Sequence, residues 1–280
     1  MARPPPPIVE HEWKVRPADR ACARALVRAL GVPPGQGGRV EPVEDVYLDT
    51  ADRALLASGY GYRLRRRGGR PPEATLKALA SPDATGVSSR EEWTEPAPAG
   101  DADPKRLPKG ALASMLAQLV GDAPLAPLAR VRGRRTTWRV PADEGLVVEV
   151  SLDQVRLDCR GRSAPLLEVE TELVSGAPEA FRRFLAAVPR VRGAAPSASS
   201  KLERALRLGR VRVPSPTAIA AVRLAAGTQA GPRAATARAV GRRHREGRAR
   251  GADSARSRRS TRCLAPRKCR AKRATARDSR

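Results

Sequence analysis

Cysteine, histidine and aromatic residues are scarce in this chain. Its 280 residues hold four cysteines and two histidines, and only 3% are Phe, Trp or Tyr. Cys22, Cys159, Cys263 and Cys269 are scattered without the spacing of a zinc site or of a disulfide framework, so neither is indicated and a reducing compartment fits. No stretch approaches the roughly 20 apolar residues that span a bilayer. The Met-Ala-Arg-Pro-Pro-Pro-Pro start lacks the apolar segment of a secretion signal. These absences point to a soluble cytoplasmic protein with no membrane partner.

Acidic residues are also in the minority, with 54 Lys and Arg against 29 Asp and Glu for a net charge of +25. The imbalance is uneven, because residues 211–280 carry 20 Lys and Arg and three Asp and Glu. Such a tail attracts any polyanion through its field and through counterion release, without selecting among them. Past about residue 208 the apolar period fades, although 216–228 could form a helix. Residues 8–206 therefore read as one folded domain, and 207–280 as a basic, low-complexity, disordered tail. With 41% hydrophobic residues the chain can build a real core.

Within the folded part the pattern predicts strands at 8–15, 45–48, 60–67, 74–79, 88–95, 129–140, 146–157 and 164–174. Helices are expected over 17–30, with Ala21, Ala25, Leu26 and Leu30 inward, over 109–120 and over 178–188, and a short one opens at Ser199-Ser200-Lys201. Asp49-Thr50-Ala51-Asp52 can cap a brief helix reaching Ser58. The fold class is α+β, an antiparallel strand domain with a few helices.

Several of these strands have one charged face. Glu10, Glu12 and Lys14 alternate with Val9, His11, Trp13 and Val15, and Glu168, Glu170 and Glu172 alternate with Leu167, Val169, Thr171 and Leu173. Arg63, Arg65 and Arg67 form a basic face, and Glu149, Ser151 and Asp153 an acidic one. A single run of this kind is usually a solvated sheet face. Here the signs segregate by strand, which favours a closed barrel with a polar interior and apolar outer faces covered by helices. Clustered carboxylates need a hard cation such as Mg²⁺ or Mn²⁺, and clustered Arg and Lys need a polyanion. A phosphate chain satisfies both.

The Glu-His-Glu-Trp-Lys segment resembles the ExExK signature of the CYTH superfamily, the triphosphate tunnel metalloenzymes. In the same order follow Tyr47-Leu48-Asp49-Thr50, Tyr62-Arg63-Leu64-Arg65, Thr75-Leu76-Lys77, Arg90-Glu91-Glu92-Trp93, Arg135-Thr136-Thr137-Trp138, Glu149 to Asp153, Glu168 to Glu172 and Ser200-Lys201. The resemblance implies an eight-stranded antiparallel β-barrel with flanking helices that hydrolyses or cyclises triphosphates with Mg²⁺ or Mn²⁺. It implies Glu10, Glu12, Asp153, Glu168 and Glu170 as metal ligands. Lys14, Arg63, Arg65, Lys77, Arg90, Arg135 and Lys201 are the implied substrate binders, and Glu10, Glu12, Lys14, Glu149, Glu168 and Glu170 the catalytic set. Glu92 is expected in the lumen beside Arg90. Arg132 or Arg134 would replace Arg135 if a bulge shifted the register.

Inorganic triphosphate, cleaved to diphosphate and phosphate, is the substrate this resemblance favours. Adenylate cyclase or thiamine-triphosphatase chemistry on the same fold, and a non-catalytic polyphosphate binder, are the alternatives. In many relatives a helical CHAD domain follows. Here too little chain is left for one, so 207–280 reads as a truncated or frameshifted remnant, or as a basic tail that holds polyphosphate or nucleic acid. His11 faces away from Glu10 and Glu12, Arg66 and Arg70 read as solvated, Asp49 equally as a helix cap or as a site residue, and the three tryptophans as packed beneath helices. Shifting Glu10 or Glu12 by one position along its strand keeps the charge count but turns the carboxylate outward. Such a variant is expected to release no phosphate from tripolyphosphate in an assay where the unaltered chain does.

Overall fold

The structure, a computed structural model, describes residues 7–97, 107 and 109–212. Among the described residues nine strands run in the order β1 (Ile8–Pro17), β2 (Arg39–Asp49), β3 (Tyr60–Arg67), β4 (Glu73–Ala78), β5 (Val87–Pro96), β6 (Ala126–Pro141), β7 (Val147–Cys159), β8 (Arg162–Ser175) and β9 (Ala194–Pro196). Interspersed are the helices α1 (Arg20–Ala29), α2 (Ala54–Ala57), α3 (Ala111–Val120), α4 (Pro178–Ala187) and α5 (Lys201–Leu208). Neighbours follow the sequence β5-β4-β3-β2-β6-β7-β8-β1, and β1 also pairs with β5, so eight antiparallel strands close into a barrel. The short β9 adds to the far half of β1, with Val15 opposite Pro196. All eight predicted barrel strands are present.

The alternation of each strand is inverted relative to an ordinary sandwich. Apolar side chains on the outer face make the core, and helices cover them. Helices α1 and α4 lie over β1, β7 and β8, burying Val15, Leu26, Leu30, Val148, Val150, Val169 and Phe181. Helices α2 and α3 lie over β3, β4 and β5, burying Leu55, Tyr62, Leu64, Leu76, Leu112 and Leu116. Trp93 is buried in the second cluster, and Trp13 and Trp138 pack partly buried against the first.

Local chemistry sets the element ends. Asp19 caps α1 by accepting from the Cys22 backbone N–H at 2.8 Å, so the chain stays extended to Pro17 and the helix starts later than the pattern suggests. Its buried face is Cys22, Ala23, Leu26, Val27 and Leu30 rather than one through Ala21 and Ala25. The larger side chains outweigh two methyl groups. Asp49 accepts from the backbone N–H groups of Leu55 and Leu56 and so caps α2. Strand β2 begins at Arg39, earlier than expected, because Pro42 disguises the segment as a loop.

The lumen is polar at one end only. By register, Val43, Ala129, Val131, Val155, Leu157 and Leu166 also face inward, and they cluster with Leu202, Ala205 and Leu206 of α5. Helix α5 thus plugs one end of the barrel, and the expected tunnel is a cup. Gly61 on β3 makes room for it, since a Cβ there would meet the Leu202 side chain at 2.7 Å.

Cys22 and Cys159 are buried free thiols, and Cys263 and Cys269 lie outside the described residues. So does the tail from residue 213 onward, with the alternative helix at 216–228. Among the described residues no helix is long and apolar enough to cross a membrane. Because Leu206 is fully buried in the plug, Leu206→Ala should destabilise the barrel by about 2–5 kcal/mol, read as a lower midpoint in urea denaturation.

Candidate active site

The polar end of the lumen is a cavity of about 270 Å³. Its lining includes the cations Lys14, Arg63, Arg65, Arg67, Lys77, Arg90, Arg135 and Lys201, and the acids Glu10, Glu12, Glu73, Glu92, Glu149, Glu170 and Glu172. Strand alternation delivers them: Glu10 lies opposite Arg90, Lys14 opposite Glu170, and Glu12 opposite Glu172, which lies opposite Glu149. Of the substrate binders expected from the sequence, all seven line this one cavity. Of the expected acids, Glu10, Glu12, Glu149 and Glu170 line it too. Asp153 and Glu168 are 1% and 0% exposed and sit behind Arg135 and Lys201.

Glu10, Glu12, Glu73, Glu92 and Glu170 each lean on a cation. Lys77 Nζ donates to both oxygens of Glu10 at 2.7 and 2.8 Å and pairs with Glu92 at 2.7 Å. Arg90 donates to Glu10 at 3.2 Å and also to Glu12, and Lys14 donates to Glu12 at 2.9 Å. Arg135 forks onto Asp153 through two bonds of 2.7 and 2.6 Å and reaches Glu170 at 2.5 Å. Among the described residues no three acids converge into a ready metal cage.

Lys201 joins three acids: Glu168 and Asp153, each at 2.8 Å, and Glu170. Its placement is local in origin. Ser200 and Glu203 form a capping box, with Glu203 Oε2 accepting from the Ser200 N–H at 2.7 Å and Ser200 Oγ from the Glu203 N–H at 3.2 Å. That box starts α5 at Lys201. A cation there opposes the helix dipole, and the surrounding carboxylates more than offset it.

Burial and charge pull the titrations in opposite directions. For Glu10, burial raises the pKa, yet Lys77 and Arg90 win and hold it at about 2. Burial likewise opposes Glu170, but Lys201, Arg135 and Lys14 keep it well below the usual carboxylate range. Glu168 goes the other way, because burial outweighs Lys201 and Glu170 adds to it. Burial lowers the Lys14 ammonium. Glu172 is pushed up to about 7 by burial and by the neighbouring charges of Glu10, Glu92 and Glu149. At Glu172, therefore, burial and the neighbouring carboxylates outweigh the pull of Lys77.

The register of β6 also matches the expectation. Arg135 is inward and 7% exposed, while Arg132 and Arg134 are exposed. The irregularities fall elsewhere, at Tyr47/Leu48 and Val147/Val148. His11 is on the outer face, with Nδ1 2.8 Å from Ser89 Oγ. Arg66 points outward, 3.7 Å from Glu44.

Asp45 is a lumen residue that the sequence pattern did not single out. It is 1% exposed, accepts from Arg65 at 2.6 and 2.8 Å, and lies 3.6 Å from Arg63. Glu41, Asp45 and Tyr47 do alternate on β2, and that spacing is the signal that could have found it. Burial alone would raise the Asp45 pKa, but Arg65 and Arg63 hold it far below its ordinary 3.8. A depressed carboxylate contributes stability above its unfolded pKa, and that contribution is lost as pH falls through the folded value. Asp45→Asn leaves Arg65 buried without a counter-charge, so it should cost about 3–5 kcal/mol at neutral pH. Denaturation curves for the variant and the unaltered chain should draw together as pH falls below 3.8.

A CYTH domain family model matches residues 9–206. No curated protein sequence matches the chain. Among solved structures, a proposed adenylyl cyclase from Hippeastrum, described as having a dominant triphosphatase activity, is similar at 19% identity and a TM-score of 0.51, covering 73% of this chain and 98% of that one. A proposed adenylate cyclase from Bacillus halodurans follows at 14% identity, 74% and 94% coverage and a TM-score of 0.39. The capping enzyme triphosphatase of Mimivirus is similar at 10% identity, 65% and 89% coverage and a TM-score of 0.36.

Proposed function

This chain belongs to the CYTH domain family, and from that premise we propose that it is a divalent-metal-dependent triphosphatase that cleaves inorganic triphosphate to diphosphate and phosphate. The observation that carries the reading is the closed cup itself, in which a wall of Arg63, Arg65, Lys77 and Arg90 meets a wall of glutamates. A linear phosphate chain is the ligand whose oxygens can use guanidinium forks along their length.

The lining fits a hard cation. Eight cationic and seven acidic side chains line the cavity, with Asp45, Asp153 and Glu168 buried behind them. The protein's own charges nearly cancel, so a phosphate chain entering the cup needs added positive charge. Donors that are all carboxylate oxygens suit Mg²⁺ or Mn²⁺ over zinc. Glu10, Glu12 and Glu170 would hold the metal at the cavity surface, with Asp153 and Glu168 behind. When bound, it would neutralise phosphate oxygens and lower the pKa of an attacking water.

The chain's own residues do the rest. Arg63 and Arg65 are oriented by Asp45, and Arg135 by Asp153, so their forks are set before substrate arrives. Lys14 and Lys201 face the transferred group from the acidic side and can exchange carboxylate partners for phosphate oxygens as charge spreads over them. The apolar plug keeps water from entering behind the substrate. A cytoplasmic setting suits this chemistry. The basic residues 211–280, read as a CHAD remnant or a polyanion-holding tail, would raise the local concentration of phosphate polymers.

The test is a substrate panel on the full chain with Mg²⁺ or Mn²⁺. Phosphate should be released fastest from tripolyphosphate, more slowly from ATP and thiamine triphosphate, and not at all with a chelator present. Glu10→Ala should lower the rate by about 100-fold or more. No release from tripolyphosphate, or equal rates for Glu10→Ala and the unaltered chain, rejects the reading. Faster turnover of ATP or thiamine triphosphate would move the assignment to those alternatives.

A further inference from the structure

Resting on the triphosphatase reading, we propose that the open mouth of the barrel is a second anion site, an arginine rim that takes the phosphates of a linear polyphosphate beyond the three held in the lumen. Arg39, Arg67, Arg70 and Arg139, with Thr137 and Glu149, enclose a hollow at that end. Arg67 and Glu149 also line the lumen cavity, so the hollow adjoins it.

The rim has more positive charge than it neutralises. Three of its arginines share one buried carboxylate, Glu41, at 3.1 Å from Arg39, 3.6 Å from Arg70 and 4.0 Å from Arg67. Glu41 Oε1 and Arg67 Nε are both buried without a hydrogen-bond partner. Arg67 also pairs with Glu73 at 2.6 Å, while Arg139 has no ion pair among the described residues. The side chains of Arg39 and Arg70 are 52% and 42% exposed, so their planar donors remain open to oxygens from outside.

The direction of the chain follows from the fold. Helix α5 and the apolar residues around it close the other end, so any phosphate beyond those held in the lumen leaves through the rim. A nucleoside in that position would be served poorly. Among the described residues Tyr47 is the one aromatic residue lining either space, and it is 7% exposed against the plug. The rim therefore has no platform on which a base could stack, and its unneutralised guanidinium groups match further phosphates.

Calorimetric titration of the full chain with tripolyphosphate, tetraphosphate and long-chain polyphosphate reads the proposal directly, and the Arg39→Ala/Arg139→Ala variant isolates the rim. The unaltered chain should bind the longer chains about tenfold or more tighter than tripolyphosphate, and the variant should shrink that preference to about twofold. Its tripolyphosphate affinity should stay within about twofold. The preference surviving in the variant would assign it to the basic C-terminal residues and overturn the rim. Equal weakening for all three ligands would overturn it too, as would a 5′-triphosphorylated oligonucleotide that gains more from the rim than polyphosphate does. A chain that shows the rim-dependent preference but cleaves none of these ligands overturns the triphosphatase reading alone. A chain that cleaves tripolyphosphate without the preference overturns the rim alone.

Discussion

A β-barrel that turns its charged faces inward has to bury apolar surface somewhere else, and this inversion governs the rest of the molecule. The outer faces of β1, β7 and β8 are useful only because α1 and α4 cover them, and those of β3, β4 and β5 because α2 and α3 do. The helices are therefore what allows the lumen to be polar. Burial of Leu26, Phe181, Leu112 and their neighbours supplies the hydrophobic stabilisation that offsets the desolvation of the ions inside.

Inside, no single pair dominates. Asp45, Asp153 and Glu168 are essentially without exposure, and each is held by an arginine fork or by Lys201. Buried ion pairs of this kind add little net stability, but removing one partner is costly. Their consequence is orientation: Arg63, Arg65, Arg135 and Lys201 enter the cavity already fixed. Lys201 has a second consequence, because it begins the helix that plugs the barrel. The capping box at Ser200 and Glu203, the apolar plug and the acidic wall of β7 and β8 meet at that one residue.

Much of the site could be read from strand periodicity. Alternation on 10–14, 63–67, 149–153 and 168–172 placed side chains on one face, and closure of the sheet brought those faces together as expected. Elements whose signal was local were also legible, such as the Asp49 cap of α2 and the inward Arg135 of β6. The misses have physical causes. Pro42 hid the first half of β2, and with it the inward spacing of Glu41 and Asp45. The face of α1 was rotated because alanine contributes too little area to decide which side is buried. The short β9 carries no pattern of its own and exists by pairing with β1.

The order of residues alone set which side of each strand is charged and which sign it bears, because a period of two needs only neighbouring residues. It also determined the concentration of basic charge in residues 211–280. The folded arrangement made the lumen a cup, since Val131, Val155 and Leu166 become a plug only when α5 crosses beneath them. It likewise decided which cation meets which carboxylate. Lys201 and Glu168 are 33 residues apart, and Lys77 and Glu10 are 67 apart. Such contacts depend on register and closure around the whole barrel, which no local stretch of chain encodes.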